Sequence, residues 1–442
     1  MIWLELAVLL GCILIGSRLG GIGMGTMGGI GLVVLVFAFG LPPGGPPGVV
    51  LGMIIAVITA LSAMEAAGGL TFLVSVAEKI LRRNPKSITF IAPFVTYALI
   101  FLSGTQHVIY ALLPVIAEIA RKSGIRPERP LSITVIASMH GLIASPISAV
   151  TVAMLAQLSG RSVSLPQIMM VTIPATLIAV FLGALVVSRR GKELKDEPPV
   201  PQEAEGDTPA AAPTVVLEGQ ALRNARGATL LFFGSVVLVV LLGLFPAIRP
   251  HYTMSVDGVA IDKEVDMAQA IMIIMLAIAG LTMLLFKASA AKAVAGPTMK
   301  SGIVAVISIL GISWLGSSFF AGNQEAIVEG FSGVIAGQEW LFGVGLFALS
   351  MLLFSQAATI VTLMPVALAL DMPTALLIAL YPAVNGIFFL PTYGTMLAAV
   401  SFDRTGTTRI GKVVVNHSFM LPGLVVTISA VLLAFGFSYL LL

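Results

Sequence analysis

Ser103-Gly-Thr-Gln-His-Val-Ile-Tyr-Ala-Leu-Leu-Pro114-Val and Ser355-Gln-Ala-Ala-Thr-Ile-Val-Thr-Leu-Met-Pro365-Val read as two copies of one pattern. Each opens on small, hydroxyl and amide side chains in apolar surroundings, runs on as a hydrophobic segment and reaches Pro-Val. A second pair follows in the same order, Ala144-Ser-Pro-Ile-Ser148 after the first copy and Leu390-Pro-Thr-Tyr393 after the second. Four polar interruptions result, at Ser103–His107, Ser145–Ser148, Ser355–Thr359 and Leu390–Thr395, and none contains Asp, Glu, Lys or Arg. Pro146 and Pro391 each remove a backbone donor and crowd the preceding turn, so each is placed to interrupt a helix.

What surrounds the interruptions decides their meaning. Of the 442 residues, 58% are apolar and only 10% charged, and the mean hydropathy is +1.05. Soluble domains are nearer a quarter charged. A membrane span takes ~20 residues, and apolar runs recur at 2–17, 21–41, 48–64, 87–103, 107–120, 131–158, 167–188, 228–247, 267–287, 300–320, 340–354, 360–370, 374–400 and 418–441. This composition is that of a polytopic, all-α membrane protein. The first run carries Glu5 and no basic leader, so it is read as a span and not as a signal peptide. Cys12 stands alone, which excludes an internal disulfide and a cysteine-based metal site.

The cationic residues set the orientation, because basic loops stay cytoplasmic. If 87–120 and 340–370 are re-entrant hairpins, all but Arg161, Arg249 and Lys263 of the 24 Lys and Arg fall inside, and both termini lie outside. The basic balance is thereby explained by topology, without a nucleic-acid partner. Residues 189–226, with Pro198, Pro199, Pro201 and Pro213 among Glu, Ala and Asp, read as a cytoplasmic linker. The outer segment 249–266 reads as a short acidic loop.

Two membrane repeats follow, 1–188 and 227–442, each with five spans, one hairpin (about 87–120 and 340–370) and one interrupted helix (about 131–158 and 374–400). An odd number of crossings makes the second repeat inverted relative to the first. Inverted repeats with broken helices near the midplane are a signature of secondary transporters. Non-helical backbone survives at membrane depth only where protein buries it or a cavity receives it, and each resumed helix begins with free N–H groups that favour an anion. Neutral donors at helix starts suit a carboxylate, and two such clusters suit a molecule with a carboxylate at each end. The expected site comprises Ser103, Gly104, Thr105, Gln106, His107, Ser145, Pro146 and Ser148 toward one carboxylate. Ser355, Gln356, Thr359, Pro391, Thr392 and Tyr393 face the other. Ser and Thr also serve as packing glue in membrane helices, a reading open to each hydroxyl singly. His140 and His107 are titratable candidates for a proton or substrate role.

Other spellings carry less. Gly23-Met-Gly-Thr-Met-Gly28 fits G-x-G-x-x-G but lies in an apolar run with no preceding strand. Gly21, Gly25 and Gly29 instead place small residues every fourth position, which lets helices approach closely. No Walker A, H-E-x-x-H or G-x-S-x-G sequence occurs, and no orienting acid accompanies Ser103 and His107 as a nucleophile and base would require. The expectation is a transporter that is not an enzyme, without cofactor or bound metal, driven by exchange or by a coupling ion such as sodium or a proton.

At these motifs the chain resembles the anaerobic C4-dicarboxylate transporters of bacterial inner membranes, the Dcu family. The strings that carry the resemblance are Gly20-Gly-Ile-Gly23, Glu78-Lys-Ile-Leu-Arg-Arg-Asn-Pro85, Ile125-Arg-Pro-Glu-Arg-Pro130, Ala144-Ser-Pro-Ile-Ser-Ala149, Ser355-Gln-Ala-Ala-Thr359, Phe402-Asp-Arg-Thr-Gly-Thr-Thr-Arg-Ile-Gly411 and Asn416-His-Ser-Phe419. The resemblance implies exchange of fumarate, malate or aspartate for succinate, an ion-transporter-like homodimer with a transport domain sliding elevator-like on a scaffold, and, for some members, a sensor-kinase partner. Where the family usually reads Gly-Thr-Gly followed by His or Asn, this chain has Gln106 after Gly104-Thr105; Met139 stands where Gln is common, and Gly394 where Pro is frequent; the lost and gained glutamines fall on segments that could face each other. Two alternatives stay open: a transporter of another organic anion (tricarboxylate, sugar acid or amino acid), and a channel or sensor partner with little transport.

Overall fold

The structure, a computed structural model, describes residues 1–19, 21–161, 163–191, 194, 217–256, 259–335, 338–390, 393–411 and 416–442. Most of the linker 189–226, together with Pro391 and Thr392, lies outside the described residues. The first half contains α1 (Ile2–Leu19), α2 (Gly23–Leu32, continued by a π-helical turn over Val33–Ala38), α3 (Gly48–Ala66), α4 (Gly69–Arg83), α5 (Ile88–Ser103), α6 (Ile109–Lys122), α7 (Glu128–Ala144), α8 (Ala149–Gln157) and α9 (Leu165–Ser188). The second contains α10 (Gly219–Leu244), α11 (Met267–Phe286), α12 (Ala290–Ala295), α13 (Pro297–Ile335), α14 (Leu341–Leu353), α15 (Gln356–Ala369), α16 (Thr374–Leu380), a 3₁₀ segment (Tyr381–Phe388), α17 (Gly394–Phe402) and α18 (Met420–Leu441).

Seven helical stretches among the described residues are long and apolar enough to cross a bilayer, and α7 with α8, bent by 40° at their break, makes an eighth. Pro85–Ser103, which is α5 with the 3₁₀ turn before it, is one of the seven. The hairpin reading of 87–120 therefore rests on charge placement, not on length. The acidic segment 249–266 is not a plain loop: β1 (His251–Val256) and β2 (Val259–Glu264) form an antiparallel hairpin, pairing His251 with Glu264 and Val256 with Val259.

Small residues set the closest helix approach. α2 packs along α13, where a Cβ at Gly25 would lie 2.1 Å from the Ile307 carbonyl oxygen and one at Gly28 2.4 Å from the Gly311 carbonyl carbon. Gly311 is in turn close against Gly25, so backbone meets backbone. The expected stripe is thus corrected: Gly25 and Gly28 make the contact, whereas Gly21 and Gly29 face no atom within 4 Å among the described residues.

The packing of the halves is matched. α2 lies on α13 and α3 on α11; α5 packs on α7 and α14 on the 3₁₀ segment; α9 packs on α18. Polar ties fix these contacts at the helix ends. Glu128, buried at the start of α7, receives Arg126 Nε at 2.7 Å and the Ser418 hydroxyl at 2.8 Å, and its own N–H donates to Thr407 Oγ1 at 3.2 Å. Arg190, just past α9, donates to the Ser418 carbonyl at 3.0 Å. Asp403 organises the loop from below, accepting from Thr407 Oγ1 at 2.8 Å and from the Thr408 N–H at 2.6 Å. Three strings distant in sequence (125–130, 402–411 and 416–419) therefore meet around one carboxylate. At another junction Arg161 reaches Asp371 at 2.7 Å and the Leu368 carbonyl at 3.1 Å, joining the turn after α8 to the turn after α15. Glu5 in α1 accepts from Asn323 Nδ2 at 2.7 Å, at the residue where α13 departs from helical geometry.

Candidate functional site

The first hairpin turns because Gly104 adopts φ +62, a left-handed conformation that favours glycine. A side chain there would also strike Ile147 at 2.8 Å, so the tip sits against the α7–α8 break. Thr105 is extended and its hydroxyl lies 3.1 Å from His107 Nδ1. Gln106 then points inward, buried: its Nε2 donates to the Ser138 hydroxyl of α7 at 2.8 Å, and its Oε1 accepts from the Tyr393 hydroxyl at 2.9 Å. Both ends of the amide are used. The expectation that Gln106 faces the helix carrying Met139 is met one residue away, at Ser138.

The second hairpin turns at Phe354, φ +48, and Ser355 caps α15 by accepting the Ala358 N–H at 3.2 Å. This interruption is confined to Phe354 and Ser355; Thr359 already lies in the first turn of α15, its hydroxyl donating to the Ser355 carbonyl at 2.8 Å. Gln356 reaches α7 as well. Its Nε2 donates to the Met139 carbonyl at 3.1 Å and to Asn385 Oδ1.

The break between α7 and α8 is built from capping. Ser145 donates to the Phe101 carbonyl at 2.7 Å, and Ser148 accepts the Thr151 N–H at 3.2 Å. Thr151 is in turn 3.2 Å from the Tyr381 hydroxyl, a contact between the halves. Ser103 also bonds inward, to the Thr105 carbonyl at 3.2 Å. Ser103, Ser145 and Ser148 are fully buried. Through these bonds the three hydroxyls hold the breaks in shape, and none of them lines the cavity described next.

A cavity of about 160 Å³ touches the first tip. Gly104, Thr105, Gln106, His107 and Tyr393 line one side of it, and Thr298 and Ser301 of α13, with apolar residues of α3, the other. Glu65, at the end of α3, accepts the Thr298 N–H at 3.3 Å. Ser355, Gln356, Thr359 and Pro146 do not line this cavity, and neither does His140, which is buried in α7 with Nδ1 3.0 Å from the Ile136 carbonyl. Tyr393 belongs with Gln106 on the first tip, which corrects its expected place beside Ser355 and Gln356. Pro391 and Thr392 lie outside the described residues.

Sequence reasoning missed Ser138, Thr298, Ser301, Tyr381 and Asn385. The last had a signal, since Asn385 is a lone amide inside the apolar run 374–400. No group of three or more His, Cys, Asp or Glu that could hold a metal ion occurs among the described residues. The arrangement offers neutral hydrogen-bond donors at helix starts, in protein interior, and the breaks contain no fixed cation.

A profile of the family described as "Anaerobic c4-dicarboxylate membrane transporter" matches residues 1–442. The C4-dicarboxylate transporter DcuA of Escherichia coli K12 is 42% identical over 438 residues, covering 99% of this chain and 98% of its own. DcuA of Wolinella succinogenes is 41% identical over 438 residues, covering 98% of each chain. The anaerobic C4-dicarboxylate transporter DcuB of Shigella flexneri is 38% identical over 443 residues, covering 97% of this chain and 96% of its own. Among solved structures, the YdaH transporter of Alcanivorax borkumensis superposes with a TM-score of 0.59 at 16% identity, covering 99% of this chain and 96% of the other, a likeness of fold.

Proposed function

The chain belongs to the anaerobic C4-dicarboxylate membrane transporter family, and on that premise we propose that it exchanges C4-dicarboxylates (fumarate, malate, aspartate and succinate) across a bacterial inner membrane by alternating access. The observation that carries this reading is the convergence of both hairpins on one turn of α7, Gln106 at Ser138 and Gln356 at Met139. Two groups of neutral donors held that close together suit a short dianion. In the first group are Gly104, Thr105, Gln106, His107 and Tyr393; in the second are Ser355, Gln356 and Thr359, with Thr392 placed there by sequence and Pro391 as the residue that breaks the helix beside it.

The inverted-repeat reading draws support from the matched packing of the halves. It is supported too by the ties between them, each of which joins residues that the basic-loop rule puts on one side: Glu128 with Ser418 inside, Glu65 with Thr298 inside, Arg161 with Asp371 outside. The first and last of those ties fasten the two ends of the α7–α8 broken helix to the second half, and the Glu65 tie joins α3 to α13, as an elevator-like movement against α3 and α13 requires. With both termini outside, the linker 189–226 is cytoplasmic. The test uses purified protein in proteoliposomes. Labelled fumarate uptake is expected to be blocked by unlabelled succinate, malate and aspartate, and accelerated by succinate loaded inside. Stronger competition by a tricarboxylate, a sugar acid or a larger amino acid, or indifference to internal succinate, would overturn the reading.

A further inference from the structure

Tyr393 is bonded to Gln106 in the first group, which leaves the second carboxylate one expected donor fewer. The 3₁₀ segment offers one. Asn385 is fully buried, and its backbone (φ −86, ψ 17) leaves helical geometry, so the chain bends where this amide sits. Its Oδ1 accepts from Gln356, but its Nδ2 has no hydrogen-bond partner among the described residues. Gln356 is the first residue of α15, a helix of 14 residues. The first N–H groups of a helix have no intrahelical acceptor; Ser355 takes the one at Ala358, and those of Gln356 and Ala357 have no hydrogen-bond partner among the described residues. Thus a side-chain donor and backbone donors without partners belong to residues tied together through the Gln356 amide, in a region where a buried donor is normally satisfied.

We propose that Asn385 is a specificity-determining residue, whose Nδ2 donates to one carboxylate of the C4-dicarboxylate while the N–H groups at the start of α15 share the same carboxylate. The inference rests on the proposed dicarboxylate transport and adds a ligand to its second subsite. Gln356 holds the Asn385 amide with Nδ2 free, so the donor is positioned before the substrate arrives.

The test compares N385A and the near-isosteric N385D with the unaltered chain in proteoliposomes, reading half-inhibition of labelled fumarate uptake by succinate and by butyrate, a monocarboxylate that needs only one subsite. N385A is expected to raise the succinate half-inhibition concentration at least tenfold and the butyrate value less than twofold. At pH 7 N385D weakens succinate at least as much, because an ionised carboxylate has no hydrogen to donate and repels the substrate's own charge. Parallel shifts for both inhibitors, no shift for either, or an N385D variant that handles succinate normally at pH 7 would overturn the assignment. If the unaltered chain shows no dicarboxylate preference, the transport reading itself fails. If that preference holds and the N385A and N385D values do not separate succinate from butyrate, only the role of Asn385 fails.

Discussion

Gln106 and Gln356, one from each hairpin, hydrogen-bond to consecutive residues of α7, the first through the Ser138 hydroxyl and the second through the Met139 carbonyl. The Gln106 amide also takes the Tyr393 hydroxyl, so three elements from both halves depend on one side chain. Q106A removes both bonds and Y393F one. With ~1 kcal/mol lost per hydrogen bond, Y393F is expected to raise the half-saturation concentration for fumarate roughly fivefold and Q106A somewhat more. The double variant should fall short of the product of the two by a coupling of ~1 kcal/mol, as touching residues do. Independent effects in such a double-mutant cycle, measured as initial uptake rates, would break the link between Gln106 and Tyr393.

The glycine contact makes a paired prediction in one helix. A side chain at Gly25 meets the Ile307 carbonyl at 2.1 Å, and neither backbone has a rotamer with which to yield. G25V is therefore expected to lower the detergent melting temperature by several degrees or abolish folding, beyond the ~1–3 kcal/mol usual for overpacking. Gly29, on the same helix, faces no atom within 4 Å among the described residues, so G29V should stay within ~0.5 kcal/mol. Equal melting of the two variants would mean that α2 and α13 do not approach as described.

The positions of the breaks were legible because their causes are local. Gly104 alone marks a left-handed turn, and Ser148 and Ser355 are cap residues immediately before apolar runs. The partners of those side chains were not legible. Tyr393 follows Pro391 in sequence and so reads as part of the second cluster, yet its hydroxyl reaches Gln106 in the other half, a pairing that only tertiary packing decides. Ser145 and Ser148 read as ligand donors, and the bonds they make to the Phe101 carbonyl and the Thr151 N–H are not displayed by the sequence. Asn385 stands outside the Ser, Thr and Pro clusters, although a lone amide in an apolar run is costly enough to ask for a reason. The acidic composition of 249–266 reads as a loop and does not display the pairing of β1 with β2.

Arg161 and Asp371 share a contact without sharing its importance. The Asp371 side chain is 88% exposed, so solvent screens the 2.7 Å pair and D371A should cost no more than ~0.5 kcal/mol. Arg161 also donates to the Leu368 carbonyl at 3.1 Å, at the end of α15, and that bond does not depend on a partner's charge. R161A is expected to slow uptake more than D371A, and its defect should persist in 0.5 M salt, where any small effect of D371A disappears. Identical defects in both variants, lost together in salt, would show that only the ion pair matters there.

Glu128 presents the opposite balance. Its carboxylate is buried between Arg126 and the Ser418 hydroxyl, with Arg190 Nε at 3.7 Å, so removing it takes an oppositely charged partner from a buried guanidinium. Breaking a buried pair by deleting one partner typically costs ~3–5 kcal/mol. E128A should accordingly show the largest loss of melting temperature of the variants named at the helix ends. E128Q keeps the shape and an oxygen for Ser418 but not the charge, and is expected to fall between E128A and the unaltered chain. The two also separate fold from movement. If Glu128 only stabilises, E128Q protein recovered in folded form will exchange fumarate at the normal rate per molecule. If the tie must stay intact while hairpins and broken helices move together, the folded E128Q fraction will exchange more slowly, with an unchanged half-saturation concentration because no substrate donor has been touched.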